Sequence, residues 1–343
     1  MNEPERGDGP FIAYWRLALG LPGELDRLVA DAAVERLAIW LGRSLARFPV
    51  EHMVAAGASE AAEAAFRRLS LARQTATVNA LRARGLRILP IKGYSSARFY
   101  DPPWKRILGD LDLLVRPSEL TALVHELGAM GFQAVPSPQG ALGVTSDVSF
   151  HPMVSADGLV SVDIHTALDA FPLSSVLGAD AVFGDADTTG LGLAPHHAVI
   201  AALSNLAKER FGPYSVRHLL DLGRLALQET VDWPAVDRIV VAAGLGPAHA
   251  TALGALLRVG VPSGRLPAGI DPAFGPAIRL ARALGHLRLD QPSRLAKIVR
   301  ELTWCYTPGT IVRIWWFRIA GLLRPRSGMP PGANAVGPDR QTR

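Results

Sequence analysis

The stretch LPIKGYSSARFYDPPWKRILGDLDLLV, residues 89–115, decides how this chain reads. At its end, DLDLLV alternates acidic and apolar positions, as a strand with one face in a site does. Asp110 and Asp112 stand two apart and therefore share a strand face, while Leu111 and Leu113 point the other way, into a core. Two carboxylates side by side repel unless solvent or a cation separates them. A hard divalent ion such as magnesium, held by a few carboxylates, waters and substrate phosphates, is the economical answer. Asp-x-Asp alone is more often a solvated strand face, so the flanking residues must decide.

Upstream, LRILPI (86–91) predicts a short apolar strand that enters Lys92-Gly93, and Tyr94-Ser95-Ser96-Ala97-Arg98 predicts the first turn of a helix. Gly93 would let a phosphate approach the backbone. The helix N–H groups and the hydroxyls of Ser95 and Ser96 can donate to its oxygens, and Lys92 adds a point charge. Taken alone, the same residues describe an ordinary strand-to-helix turn with capping serines. Arg106, in a loop four residues before Asp110, is suited either to a phosphate or to pinning the acidic strand. Downstream, Val162-Asp163-Ile164-His165 repeats the alternation. Asp163 could join the first two acids on an ion or take the proton of an attacking hydroxyl. His165 could orient Asp163, touch a phosphate or sit as a satisfied half-buried histidine.

Around these segments the chain expects helix on both sides. Residues 24–84 are Ala/Leu/Arg-rich with apolar residues at helical spacing, and Pro49 punctuates them. PSELTALVHELGAMG (117–131) predicts a helix that begins at Pro117. Segments 146–154 and 159–165 predict a hairpin across Ala156-Asp157-Gly158. From Pro195 the pattern is helical again as far as Leu323. The expected fold class is α+β, a small mixed sheet carrying the site between helical layers. The expected division is a loosely ordered or disordered 1–20, a helical region 21–85, an α/β core 86–192, a helical domain 193–323 and a disordered tail 324–343.

Composition sets the outer bounds. With 343 residues, 49% hydrophobic and 20% charged, the chain suits a folded protein of roughly two domains. Its 33 glycines and 26 prolines follow no period, which excludes collagen. The net charge of +5 permits an anionic partner without demonstrating one. Cys305 is the single cysteine, so no internal disulfide forms, and a buried thiol is the expectation. Met1 to Pro10 lacks the basic and apolar regions of a signal peptide, and Val240–Leu257 is broken by Gly244, Gly246 and Pro247 into two packed helices. A cytoplasmic location without integral membrane association is expected. The segment IVRIWWFRIAGLLR (311–324) leaves peripheral membrane contact open, although a helix packing its aromatic face inward is the simpler reading.

The combination of strand, Lys-Gly, helix, arginine, Asp-x-Asp-Leu-Leu-Val and a later Val-Asp-x-His strand resembles the uncharacterised nucleotidyltransferases of the DNA polymerase β-like superfamily. The resemblance is tightest over Leu89–Phe132, where Gly131-Phe132 matches the family's Gly-Phe after the helix. It continues through Asp163-Ile164-His165 and, more loosely, through the Leu-x-Asp-Leu segment at Leu219-Leu220-Asp221-Leu222. The chain departs from the wider superfamily in having Lys92-Gly93-Tyr94-Ser95 where Gly-Ser is usual, and in having Asn205 and Glu209 where histidines are expected. The resemblance implies transfer of a nucleoside monophosphate from a nucleoside triphosphate to an acceptor hydroxyl, with pyrophosphate released. Asp110, Asp112 and Asp163 would be the catalytic and metal-binding residues, holding two Mg²⁺ ions. Lys92, Gly93, Ser95, Ser96, Arg106 and His165 would bind the nucleotide, ATP or another NTP. The acceptor, whether protein, RNA or a small molecule, is not written in this apparatus. Two alternatives share the motifs: a toxin-like nucleotidyltransferase that modifies tRNA, and a catalytically degenerate nucleotide-binding module.

Overall fold

The computed structural model describes residues 60–135, 149–150, 152–186, 192–211, 216–228, 231–258, 261–267, 298 and 301–323. The expectations for residues 1–59, 146–148 and the 324–343 tail lie outside the described residues. The fold is α+β. Helix α1 (Glu60–Ala83) precedes β1 (Leu89–Pro90), the short helix α2 (Lys92–Ser96), β2 (Leu111–Leu114) and α3 (Leu120–Ala129). Strands β3 (Gln133–Ala134), β4 (Met153–Val154) and β5 (Ser161–His165) complete the sheet. The helices α4 (Ala179–Gly184), α5 (Pro195–Lys208), α6 (Val216–Gln228), α7 (Trp233–Ala243), α8 (Gly246–Arg258) and α9 (Pro308–Leu323) follow.

The sheet is mixed, in the order β1-β2-β5-β4-β3. β1 is shorter than the apolar run 86–91 predicts, and it lies at the sheet edge against β2. An edge is where Pro90, which has no N–H to give a ladder, is tolerated. The expected hairpin is present: Met153 faces Val162 and Val154 faces Ser161. At its turn Gly158 takes φ +71°, in the left-handed region that favours glycine. The central pair is β2 with β5, which run parallel with Asp112 opposite Asp163 and Leu114 opposite His165. A parallel pair needs a crossover, and here α3, β3 and β4 supply it.

This pairing sorts the residues by face. Leu111, Leu113 and Val115 of one strand and Val162 and Ile164 of the other pack with Val78 and Leu81 of α1 and Leu123 and Leu127 of α3. On the opposite side a second apolar cluster runs from Leu89 and Leu114 through α5 to Ile314 of α9. Helix α5 is buried at every position from His197 to Ala207, so it is the spine on which α6, α7 and α8 pack. An all-round apolar, Ala-rich sequence suits such a position. The acidic face of the sheet therefore lies on the side where these helices gather.

One buried ion pair ties this helical layer to the loop before β2. Arg106 forks onto Asp221 of α6, with Nε to Oδ1 and Nη2 to Oδ2 both at 2.7 Å, and Tyr100 Oη donates to Oδ1 at 2.8 Å. Bidentate geometry and a third donor are what such a pair needs to offset desolvation. Burial opposes the charge on Arg106, but Asp221 outweighs it and holds the guanidinium firmly protonated.

At the C-terminal end the packing differs from the expected aromatic face. Ile311 and Ile314 of α9 are buried, whereas Trp315 and Trp316 are 46% and 72% exposed. The isoleucines, three apart, define the stripe that packs. Among the described residues no helix is long and apolar enough to cross a membrane. Cys305 is buried, as expected of a single thiol.

Removing one member of the Arg106–Asp221 pair strands the other charge in the interior. Asp221→Ala is expected to lower stability by about 3–5 kcal/mol in urea unfolding, and a loss below about 1 kcal/mol would mean that the pair is not buried as described.

Candidate active site

Asp112 and Asp163 face each other across the parallel β2–β5 pair, and Asp110 stands just before β2 on the same side. Helix α1 holds this approach: Gln74 Nε2 donates to the Gly109 carbonyl at 2.6 Å. Asp163 shares a hydrogen bond with Asp110. Burial, then the carboxylates of Asp110 and Asp112, push Asp163 up to about 7. Asp112 shows the opposite balance. Burial raises it, but Lys92 and then His165 outweigh burial and hold it at about 2.

The geometry behind that balance is a compact network. Lys92 Nζ donates to Asp112 Oδ1 at 2.6 Å, and His165 Nε2 lies 2.9 Å from the same oxygen. Ser149 Oγ is 3.2 Å from His165 Nδ1. Because the imidazole contact to Asp112 is shorter than its 3.3 Å contact to Lys92, we assign the proton to Nε2, with Nδ1 accepting from Ser149. His165 is buried and orients Asp112, not Asp163. For Lys92, burial opposes the charge, but Asp112 and then Asp169 outweigh it and raise the ammonium's pKa.

The turn before α2 is shaped by Lys92. Its φ of +51° places a non-glycine residue in the left-handed region, a strain on the order of 1–3 kcal/mol that recurs at functional sites. Gly93 is not in that region. A Cβ built there would meet its nearest neighbour, Arg106 Nη2, at 3.8 Å, an ordinary contact. Packing within the protein thus gives no reason for glycine at 93.

The remaining expected nucleotide contacts are placed differently. Arg106 is 5% exposed, with Nε and Nη2 on Asp221 and Nη1 on the Ile107 carbonyl. Its anchor is α6 and not the acidic strand. Ser95 is buried, and its Oγ accepts the Leu193 N–H at 3.3 Å. Ser96 is half-buried on α2. At the departures on α5, Asn205 Nδ2 donates to the Ala201 carbonyl at 2.8 Å, and Glu209 lies 3.3 Å from Arg217. Both are engaged within the helical layer.

Sequence reasoning missed three contributors. Ser149 precedes the hairpin and joins the site only through its bridge to His165. Gln74 is one polar residue on a long helix. Asp169 is buried near Lys92 and Lys208, whose charges outweigh its burial and lower its pKa. No local motif marks any of the three.

The site's donor set fits a hard cation. Carboxylate oxygens of Asp112 and Asp163 lie within 4.8 Å of one another with Asp110 beside Asp163, and burial with the neighbouring carboxylates raises Asp163 for want of compensating charge.

Asp163 makes stability pH-dependent in a defined direction. Its folded pKa lies above its unfolded value, so the folded state binds the extra proton, and this contribution is lost as pH rises from about 4 through about 7. Asp112 acts oppositely, its contribution being lost only as pH falls below about 4 towards 2. Asp163→Asn should therefore flatten the decline in urea-unfolding stability between pH 5 and pH 8, leaving the variant at least as stable as wild type at pH 8. An unchanged slope would show that the carboxyl titrates normally.

No curated protein matches the chain. Over residues 22–257 it matches the family model described as an uncharacterised nucleotidyltransferase, a span that contains the whole sheet, the acidic face and helices α1 to α7. With the three acids gathered across β2 and β5 beside the Lys92-Gly93 turn, the chain belongs to this uncharacterised nucleotidyltransferase family.

Proposed function

We infer that the protein transfers a nucleoside monophosphate from a nucleoside triphosphate to an acceptor hydroxyl. The observation that carries this reading is the register of β2 against β5, which sets Asp112 opposite Asp163 with Asp110 bonded to Asp163. Asp110, Asp112 and Asp163 would hold two Mg²⁺ ions, which when bound neutralise the triphosphate and make the acceptor hydroxyl easier to ionise. The residues themselves account for the rest. Asp163, across the strand pair from Asp112, would take the proton from the acceptor hydroxyl. The acceptor oxygen forms its bond to the α-phosphorus as the bond from that phosphorus to the bridging oxygen breaks, and pyrophosphate leaves with the electron pair.

Lys92 is the counter-charge of Asp112 in the free protein and stands at the turn that the triphosphate would approach. Exchanging its carboxylate partner for a phosphate keeps the charge compensated. Gly93 keeps the backbone bare at that turn, where its own surroundings leave room for a Cβ. Ser96 lies on the same short helix. Ser95 and Arg106 support this surface from beneath: Ser95 through Leu193, Arg106 through Asp221. His165 is a positioning residue that fixes the orientation of Asp112 through Nε2.

With Mg²⁺ and each of four α-labelled triphosphates, wild-type protein should label an acceptor in a host lysate. Asp112→Ala and Asp163→Asn should lower labelling on the order of 100-fold or more while retaining wild-type circular dichroism. Equal labelling by wild type and both variants would overturn the assignment. Whether the label resides on protein, RNA or a small molecule identifies the acceptor class.

Because His165 acts through Asp112, His165→Gln should reduce kcat less than Asp112→Ala does. It should also move the acid loss of urea-unfolding stability that Asp112 contributes to higher pH, giving a shifted pH–stability profile, as Asp112 loses a stabilising donor. A His165 variant as inactive as Asp112→Ala, with an unmoved profile, would place the imidazole on the substrate instead.

A further inference from the structure

A second cluster of ligating side chains lies away from the carboxylate site, where α4 ends and α5 begins. Asp185 follows Gly184, and Pro195 opens α5 with His196 and His197. Consecutive residues on a helix point about 100° apart, so neighbouring histidines ordinarily diverge. Here both rings turn to the same carboxylate oxygen. His196 Nε2 is 3.3 Å and His197 Nε2 3.7 Å from Asp185 Oδ2, with the ring centroids 4.1 Å apart. The three donor atoms lie within 4.8 Å of one another.

Hydrogen bonding accounts for one arm of this convergence, His196 to Asp185, and not for the other. The 3.7 Å separation from His197 is beyond hydrogen-bond reach. The His197 side chain is only 2% exposed, and its Nδ1 is buried with no hydrogen-bond partner. Nδ1 is not the atom that faces Asp185, so what points to an ion is the convergence of both Nε2 atoms on one carboxylate oxygen. A tetrahedral ion with metal–nitrogen distances of about 2.0–2.1 Å places its ligands roughly 3.3 Å apart, close to the 3.3 and 3.7 Å from Asp185 to the two imidazoles.

We propose that Asp185, His196 and His197 form a binding site for one zinc-type divalent ion, coordinated by two imidazole Nε2 atoms and a carboxylate oxygen. Two imidazoles and one carboxylate select a borderline transition metal over magnesium. The ion joins the end of α4 to the start of α5. Three residues before His196, Leu193 donates its N–H to Ser95 Oγ at 3.3 Å, and its carbonyl accepts from Arg98 Nη2 at 2.7 Å. The site therefore lies close to the contact of Leu193 with α2, and it is independent of any transfer chemistry.

The test uses full-length, chelator-treated protein carrying Asp112→Asn and Asp163→Asn, so that the carboxylate site does not contribute. Calorimetric titration with Zn²⁺ should show one equivalent, accompanied by a rise in the midpoint of thermal unfolding. Co²⁺ in its place should give the visible absorption of a low-symmetry, four- or five-coordinate ion. Adding His196→Gln should weaken zinc binding by roughly 100-fold or more and remove the thermal shift, and excess Mg²⁺ should not compete. Asp185→Asn alters the most exposed ligand and gives the same readout should the histidine variant fold poorly. No zinc equivalent in the first protein, or an equivalent unchanged by both ligand substitutions, would overturn the proposal.

Discussion

The parallel pairing of β2 with β5 is the constraint on which the site depends. Each strand alone carries acids on one face and leucine, valine or isoleucine on the other. Only the register that sets Asp112 against Asp163 brings both acidic faces together. A slip of one residue would turn Val162 and Ile164 towards the carboxylates and expose what α1 and α3 now bury. The apolar cluster beneath the sheet therefore holds the carboxylates in their unfavourable proximity. The electrostatic consequence is visible in the opposed behaviour of the two acids. Asp112 is compensated by Lys92 and His165 and remains ionised, whereas Asp163, facing Asp110 and Asp112, is held near neutrality.

Around that pairing the protein invests in rigidity at one remove. Arg106 and Asp221 join the loop before β2 to α6, Gln74 holds Gly109, and Ser149 holds the ring of His165. None of these contacts meets a reacting group in the proposed chemistry, yet each steadies a neighbour of the acids that would. Precise placement of charged groups is what phosphoryl-type transfer asks of a protein. The left-handed Lys92 belongs to the same logic, since its backbone is strained where its ammonium must reach Asp112.

The parts of this arrangement legible in the sequence were those written locally. Alternation in DLDLLV and VDIH gave the shared faces, the Ala-Asp-Gly turn gave the hairpin, and the apolar residues spaced through 195–208 gave a helix. What was not legible depended on partners far apart in the chain. Arg106 and Asp221 were each conspicuous, but nothing in either neighbourhood announces that they form one ion pair. Ser95 reads as a phosphate donor because a hydroxyl after a Lys-Gly turn is exposed by default, and its burial against Leu193 depends on a residue far along the chain. His165 orients Asp112 because the two strands run parallel, and a strand pattern does not encode its partner's direction. The two histidines at the start of α5 likewise mean nothing until Asp185 is brought to them.

The central claim is that the three acids jointly bind divalent cations together with a nucleotide. Its most direct measurement is Mn²⁺ binding, followed by electron paramagnetic resonance, with and without a non-hydrolysable nucleoside triphosphate. Comparing wild type with Asp112→Asn and Asp163→Asn isolates the ions that bind with the nucleotide. The account predicts nucleotide-dependent Mn²⁺ uptake by wild type that falls in both variants. Uptake equal in all three proteins, or independent of nucleotide throughout, would contradict it.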